Sequence, residues 1–255
     1  MTLKNFKITV EYDGSGFHGW QRQKCDRTIQ SEIEKAIANI VGERVAVIGS
    51  GRTDAGVHAL GQVANFRCDT RLNEAVFQKA LNSLLPEAIV VRMCQQVDPG
   101  FHARYDARSK TYRYRIVNHP LPVAIGRQYA WHIRRPLNMN AMRAAAEVLL
   151  GRHDFKAFEG AGSPRSHTIR HVFRAQLRKE NKAHYLAFEI EANGFLRFMV
   201  RNLVGTLVLV GCGKVSMKGF ATILHSRDRR QAGATAPPQG LFLVKVSYDE
   251  YDRSR

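Results

Sequence analysis

One acidic and one basic side chain stand together in the glycine-rich stretch Gly49-Ser-Gly-Arg-Thr-Asp-Ala-Gly-Val-His-Ala-Leu-Gly-Gln62. Asp54 and Arg52 lie among Gly49, Gly51, Gly56 and Gly61. The flanking runs, 45–48 and 62–66, read as short strands, so the acid belongs to a loop held by a sheet. Glycine permits positive φ and the close approach of a ligand, and such a loop can project a carboxylate into a cleft. Loops held by a rigid sheet are where catalytic groups tend to sit. The alternative is a plain turn, with Asp54 capping its own backbone and Arg52 solvated.

Two further stretches carry candidate groups. Lys110-Thr-Tyr-Arg-Tyr-Arg115 is a strand with Tyr112 and Tyr114 on one face and Arg113 and Arg115 on the other. Alternating aromatics and cations suit base stacking combined with phosphate contact, although strand tyrosines commonly pack in a core, the expectation for Tyr114. Phe195-Leu-Arg-Phe-Met-Val-Arg-Asn202 reads as the start of a helix, with Arg197 and Arg201 at i, i+4 on one face, either binding phosphate or solvated.

The string Arg52-Thr-Asp-Ala-Gly-Val-His-Ala59 resembles the catalytic loop of the tRNA pseudouridine synthase A family. Further similar strings are Phe17-His-Gly-Trp-Gln-Arg22, Phe101-His-Ala-Arg104, Gly151-Arg-His-Asp-Phe155, Met199-Val-Arg-Asn202 and Gly240-Leu-Phe-Leu-Val244, so the resemblance runs from about residue 6 to 248. It implies that Asp54 is the catalytic nucleophile, that Arg201 pairs with it, and that Tyr112 stacks on the target base. It also implies that a leucine of the last strand, Leu243, lines the base pocket. Arg52 is expected to hold the target's phosphate or the flipped nucleotide. The implied reaction is isomerisation of uridine to pseudouridine at positions 38–40 of the tRNA anticodon stem-loop, by a homodimer. Asp54 would add either to uracil C6 or to ribose C1′. No redox change occurs, so no cofactor is expected.

Composition agrees with a polyanionic partner. Lys and Arg total 39 against 22 Asp and Glu, a formal net charge of +17. Self-repulsion on that scale destabilises a compact chain unless a polyanion uses it. The longest apolar run, 203–210, is far too short to span a bilayer, which leaves nucleic acid rather than membrane. The opening residues lead straight into a strand pattern with no signal-peptide pattern, and the four cysteines (Cys25, Cys68, Cys94, Cys212) form no CxxC pair. Free thiols in a reducing cytoplasm are expected. His167 and His171 stand at i, i+4, but Thr168-Ile169 between them favours a strand, and no metal is expected. A non-catalytic RNA-binding or chaperone protein would explain the charge equally well but would not need Asp54. A nuclease would want more than the single carboxylate of this loop.

The elements that must position these groups read as one pattern twice. Strand 6–12, a helix carrying Ile29, Ile33, Ala36, Ile37, Ile40 and Val41, strands near 45–49 and 62–67, a helix carrying Val76, Ala80, Leu81 and Leu84, and strand 89–96 give β-α-β-β-α-β. Strand 110–118, a strand near 128–132, helix 139–150, strands 171–178 and 184–192, helices 195–210 and 217–225, and strand 241–248 repeat that order with additions. The expectation is an α+β protein of two ferredoxin-like halves, 1–104 and 105–255, whose antiparallel sheets join around a catalytic cleft. The basic segments 160–170 and 227–239 read as exposed loops, either solvated or in contact with RNA.

Overall fold

The computed structural model describes residues 3–162 and 167–248. Its elements run β1 (Leu3–Tyr12), α1 (Ile29–Val41), β2 (Ile48–Gly49), β3 (His58–Asp69), α2 (Glu74–Leu84), β4 (Ile89–Val97), β5 (Ser109–Asn118), β6 (Trp131–Ile133), α3 (Met139–Glu147), β7 (Gly151–Asp154), β8 (Ile169–Lys179), β9 (Tyr185–Ala192), α4 (Met199–Gly211), α5 (Met217–Ser226) and β10 (Leu241–Ser247). The fold class is α+β. Two compact units form, one from residues up to Arg108 together with those from Phe242 onward, the other from Ser109–Leu241. A split into 1–104 and 105–255 therefore misplaces the last strand. β10 returns to the first unit, where it pairs parallel with β3, Phe242 opposite His58 and Leu243 opposite Ala59.

In the first unit β1 lies between β3 and β4, antiparallel to both, and β2 pairs antiparallel with β3. The order β4-β1-β3-β2, with α1 and α2 as connections, is the split βαβ arrangement. Phe6, Ile8, Val10 and Tyr12 all turn inward from β1 and are buried. Phe6 stacks on Phe66 at 5.6 Å and on Phe77 at 5.2 Å, which pins α2 to the sheet. Burying Phe77 contributes about 1.5–3 kcal/mol by area.

Thr28 and Ser31 close a capping box at the start of α1, and Gly42, at φ 81°, ends the helix. In α2 the buried stripe is Phe77, Leu81 and Leu85, while Val76 and Leu84 are exposed. The expected stripe thus holds at Leu81 but slips by one residue at Val76 and Leu84, because the large Phe77 ring sets the rotation of the helix. β2 is reduced to two residues, and β3 begins at His58, four residues before the expected Gln62.

In the second unit β5, β9, β8 and β7 pair successively antiparallel, and β6 adds parallel to β5. α4 is buried along nearly its whole length, and Phe158 packs on Phe220 of α5 at 6.0 Å. α3 ends at Glu147, and the chain re-enters the sheet at Gly151 as β7, a strand not expected from the sequence. Among the described residues no helix is long and apolar enough to cross a membrane.

Candidate active site

Residues 50–57 form the loop between β2 and β3, with Asp54 half-buried and Arg52 exposed at its rim. This loop is clamped from beneath and braced within itself. The Trp20 amide donates to the Thr53 carbonyl at 3.1 Å, the Gly56 amide to the Phe17 carbonyl at 3.3 Å, and the Val57 amide to the Asp54 carbonyl at 3.1 Å. Tyr12 Oη and Thr53 Oγ1 are 2.8 Å apart. Ser50 Oγ donates to Gln62 Oε1 at 2.7 Å, and Gln62 Nε2 donates to the Gly51 carbonyl at 2.9 Å. Burial raises the Tyr12 phenol well above its ordinary value, against the opposing hydrogen bonds of Thr53 and Gln62, so it stays protonated as part of the scaffold.

Of the stretch's four glycines, two in the loop and two in its flanking strands, only Gly56 has positive φ, at 75°. The more demanding glycine lies outside the loop. Gly19, at φ 86°, passes so close beneath it that a Cβ would stand 2.5 Å from the Thr53 carbonyl oxygen and 3.1 Å from the Asp54 carbonyl carbon. Trp20, 2 % exposed, packs on Tyr12 at 6.1 Å and occupies the space over Gly49. The opening string Phe17–Arg22 is therefore the floor of the acid loop.

Arg52 Nε donates to Gln21 Oε1 at 3.0 Å, which orients an exposed guanidinium. His58, the first residue of β3, is buried; its Nδ1 lies 3.1 Å from the Gly14 amide and 3.1 Å from Asp13 Oδ1, and its ring stacks on Phe242 at 4.8 Å. Leu243 is fully buried beside Ala59. Asp54, Arg52 and Leu243 thus belong to the first unit, and Tyr112 and Arg201 to the second.

Tyr112, on β5, is 7 % exposed and meets Phe195 edge-on at 5.0 Å. Tyr114 is core, as expected, and donates to the Pro237 carbonyl at 2.7 Å. The strand's two arginines are not free for phosphate. Arg113 pairs with Glu189 at 2.7 Å and Arg115 with Glu180 at 2.6 Å, so an acid of β9 and one of the turn after β8 neutralise them.

The helix expected from Phe195 begins only at Met199, because Phe198 caps it in the left-handed region at φ 59°. Arg197 and Arg201 consequently share no helix face. Their guanidiniums lie instead against the Phe198 ring, at 4.7 and 5.0 Å. Arg201 Nε donates to the Ala236 carbonyl at 2.7 Å, and Arg197 Nη1 to the Ala161 carbonyl at 2.9 Å.

Segment 227–239 is a built structure rather than a solvated arm. Arg229 donates to Asn202 Oδ1 at 3.0 Å, Arg227 pairs with Asp154 at 3.0 Å, and Arg230 pairs with Asp228 at 2.9 Å. The hydrogen bond from Arg230 holds the Asp228 carboxyl down to about 2. Of the basic segment 160–170, residues 163–166 lie outside the described residues, and Ile169 and Arg170 already belong to β8.

The profile of a family described as tRNA pseudouridine synthase matches residues 8–106 and 145–249. The tRNA pseudouridine synthase A of Thermoanaerobacter sp. (strain X514) is 49% identical over 246 residues, covering 96% of this chain and 100% of the relative. The proteins of that name from Acetivibrio thermocellus and Caldicellulosiruptor bescii are 46% and 45% identical over the same share of each chain. The chain belongs to the tRNA pseudouridine synthase family.

The family match takes in Asp54, Arg52, Arg201 and Leu243, whereas Tyr112 lies between its two matched segments. Sequence reasoning missed Tyr12, Thr53, Gln62 and Gly19. Thr53 was in view beside the acid, but nothing in the string marks its partner 41 positions upstream. Among the described residues no group of three or more His, Cys, Asp or Glu side chains is placed to hold a metal ion. The four cysteines are free, with Cys25 exposed and Cys68 and Cys94 buried.

Proposed function

We propose that the protein isomerises uridine to pseudouridine in the anticodon stem-loop of tRNA, at positions 38–40, with Asp54 as nucleophile. The observation that carries the reading is a single half-buried carboxylate on a loop whose backbone is fixed at Thr53 and Gly56 by the chain beneath it and at Asp54 by the loop's own Val57 amide. A fixed carboxylate suits covalent catalysis, because a small misplacement of the attacking atom is costly in rate. Support for the substrate comes from the name shared by relatives 45–49% identical over 96% of this chain.

In this reaction the bond from uracil N1 to ribose C1′ breaks, the ring turns, and a bond from C5 to C1′ forms. The C5 proton is lost and N1 gains one, so atoms and electrons balance without redox change. Asp54 adds either to C6 or to C1′ and is released at the end. Arg201 keeps the carboxylate ionised, since a neighbouring guanidinium favours the charged form. Arg52 holds a backbone phosphate, Tyr112 stacks on the turned base, and Leu243 forms the apolar floor beneath it. The target nucleotide must leave its stack, at about a few kcal/mol, and phosphate contacts offset that. The working form is a homodimer in the cytoplasm.

Product mapping tests this reading. Unmodified tRNA transcript incubated with the protein should acquire pseudouridine at positions 38–40 and nowhere else. Modification confined to another arm of the tRNA, or none in any tRNA supplied, would overturn it.

A further inference from the structure

We infer that the second unit carries a separate pocket for RNA backbone phosphates, built by Arg143, Lys179 and Lys182 around the N-terminus of α3. A cavity of about 720 Å³ opens there, walled by the first turns of α3 and by the hairpin joining β8 to β9. The inference rests on tRNA being the substrate.

Two of the three charges of this pocket are held in place. Arg143 Nε donates to the Leu177 carbonyl at 3.0 Å and its Nη1 to Asn140 Oδ1 at 3.3 Å, which fixes the guanidinium plane. The Lys182 ammonium sits over the Tyr185 ring, 4.7 Å from its centre. Lys179 extends from the end of β8 on the same wall. The one carboxylate among the lining residues, Glu180, is already engaged, accepting from Arg115 Nε at 3.0 Å and Nη2 at 2.6 Å. Three cations therefore line one cavity with no carboxylate left there to balance them. Like charges so grouped repel unless an anion joins them.

The helix end adds to the same sign. Asn138 caps α3 by accepting from the Ala141 amide at 3.0 Å, and no acidic residue occupies the first turn. The positive end of the helix dipole thus faces the cavity without an acid of its own turn.

The lining favours an RNA backbone over a small enclosed ligand. Small-molecule sites are mostly apolar with a few polar groups, whereas eight of the thirteen residues walling this cavity are polar or charged, three of them cations and three asparagines. Of the two rings lining it, Tyr185 is covered by Lys182 and by Arg115 at 5.0 Å, and His184 lies against the His119 ring at 4.1 Å, so no base can stack on the Tyr185 faces. Exposed cations beside a covered tyrosine suit phosphate contact, which places an RNA without reading its sequence.

The test compares wild type with an R143A/K179A/K182A variant by filter binding of unmodified tRNA transcript over a range of salt. The variant should bind about tenfold or more weakly near physiological salt, and the slope of log affinity against log salt should fall by about 2–3, the loss of roughly three phosphate contacts. In pseudouridine formation its KM should rise with kcat at saturating tRNA unchanged. Affinity and slope equal to wild type would overturn the inference, as would weaker binding at unchanged slope. Should the triple variant fail to fold, the single reversals Lys179→Glu and Lys182→Glu, both on an exposed hairpin, decide: each should weaken tRNA binding severalfold, and no loss from either overturns it. If wild type forms no pseudouridine, the proposed function fails, while the binding comparison still decides the pocket.

Discussion

Replacing Gly19 by alanine should displace the loop that carries Asp54 without touching the acid itself. A Cβ there would lie 2.5 Å from the Thr53 carbonyl oxygen, where ordinary contact begins at 3.4 Å, so the loop backbone must retreat by about 0.9 Å. Two costs combine. The left-handed conformation at φ 86° costs an L residue roughly 1–2 kcal/mol, and the overpacking about 1–3 kcal/mol. Together they lower the melting temperature by about 5–15 °C for a chain of this length. A shift of about 1 Å at the reacting atom costs on the order of a hundredfold in rate. Two other glycines separate these effects. Gly42, at φ 81° with open space around it, should show the conformational cost alone and keep full activity. Gly16, with neither positive φ nor a close neighbour, should show no effect on either quantity. The assay is thermal melting together with tritium release from C5-labelled tRNA for all three alanine variants. The reasoning is refuted if Gly19→Ala works within about twofold of wild type, or if Gly42→Ala loses as much activity as Gly19→Ala.

Other expectations follow from the same scaffold and from the buried thiols. Tyr12→Phe removes the 2.8 Å contact with Thr53 and should cost about 1 kcal/mol; a double-mutant cycle with Thr53→Val should show the two effects to be coupled rather than additive. Phe198→Leu removes the ring shared by Arg197 and Arg201, a contact worth about 0.5–2 kcal/mol, and should lower kcat by about 3- to 30-fold with KM little changed. Burial pushes the Cys68 thiol up to about 11 and the Cys94 thiol up to about 12, from an ordinary 9.0. The folded state thus keeps protons that the unfolded chain releases, so this stability is complete below pH 9.0 and is lost as pH rises through 11 and 12. Denaturant midpoints should accordingly hold steady up to about pH 9 and then fall. In the native protein a thiol reagent should label Cys25 first and spare Cys68 and Cys94; fast labelling of all four cysteines would contradict the burial.

The sequence made the long regular elements legible because their patterns are local. β1, α1, β8 and β9 lie close to where alternation, capping and turn residues put them. Misreadings arose where tertiary contacts override such patterns. Phe77, by stacking on Phe6, turned α2 one residue away from the expected stripe. Phe198 adopts a conformation costly for a side chain, which moved the start of α4 and broke the supposed Arg197–Arg201 face. Charges were the least readable. Arg113, Arg115, Arg227, Arg229 and Arg230 look like a basic surface in the sequence, yet each meets an acid or a polar group of its own unit. Of the candidate site, the acid and its loop were legible from the string around Asp54. The clamp was not, since Tyr12, Gly19 and Gln62 approach it only through the sheet and the floor segment.

The most direct test of the central claim counts tritium released from C5-labelled uridine in tRNA transcript, with wild type beside Asp54→Asn and tRNA binding measured on both. Asparagine keeps the shape of the side chain and removes its charge and nucleophilicity. The account predicts release by wild type alone, at equal or tighter tRNA affinity for the variant. Equal release by both proteins would show that Asp54 is not the nucleophile. Release by neither, with both binding tRNA alike, would leave an RNA-binding protein without this chemistry.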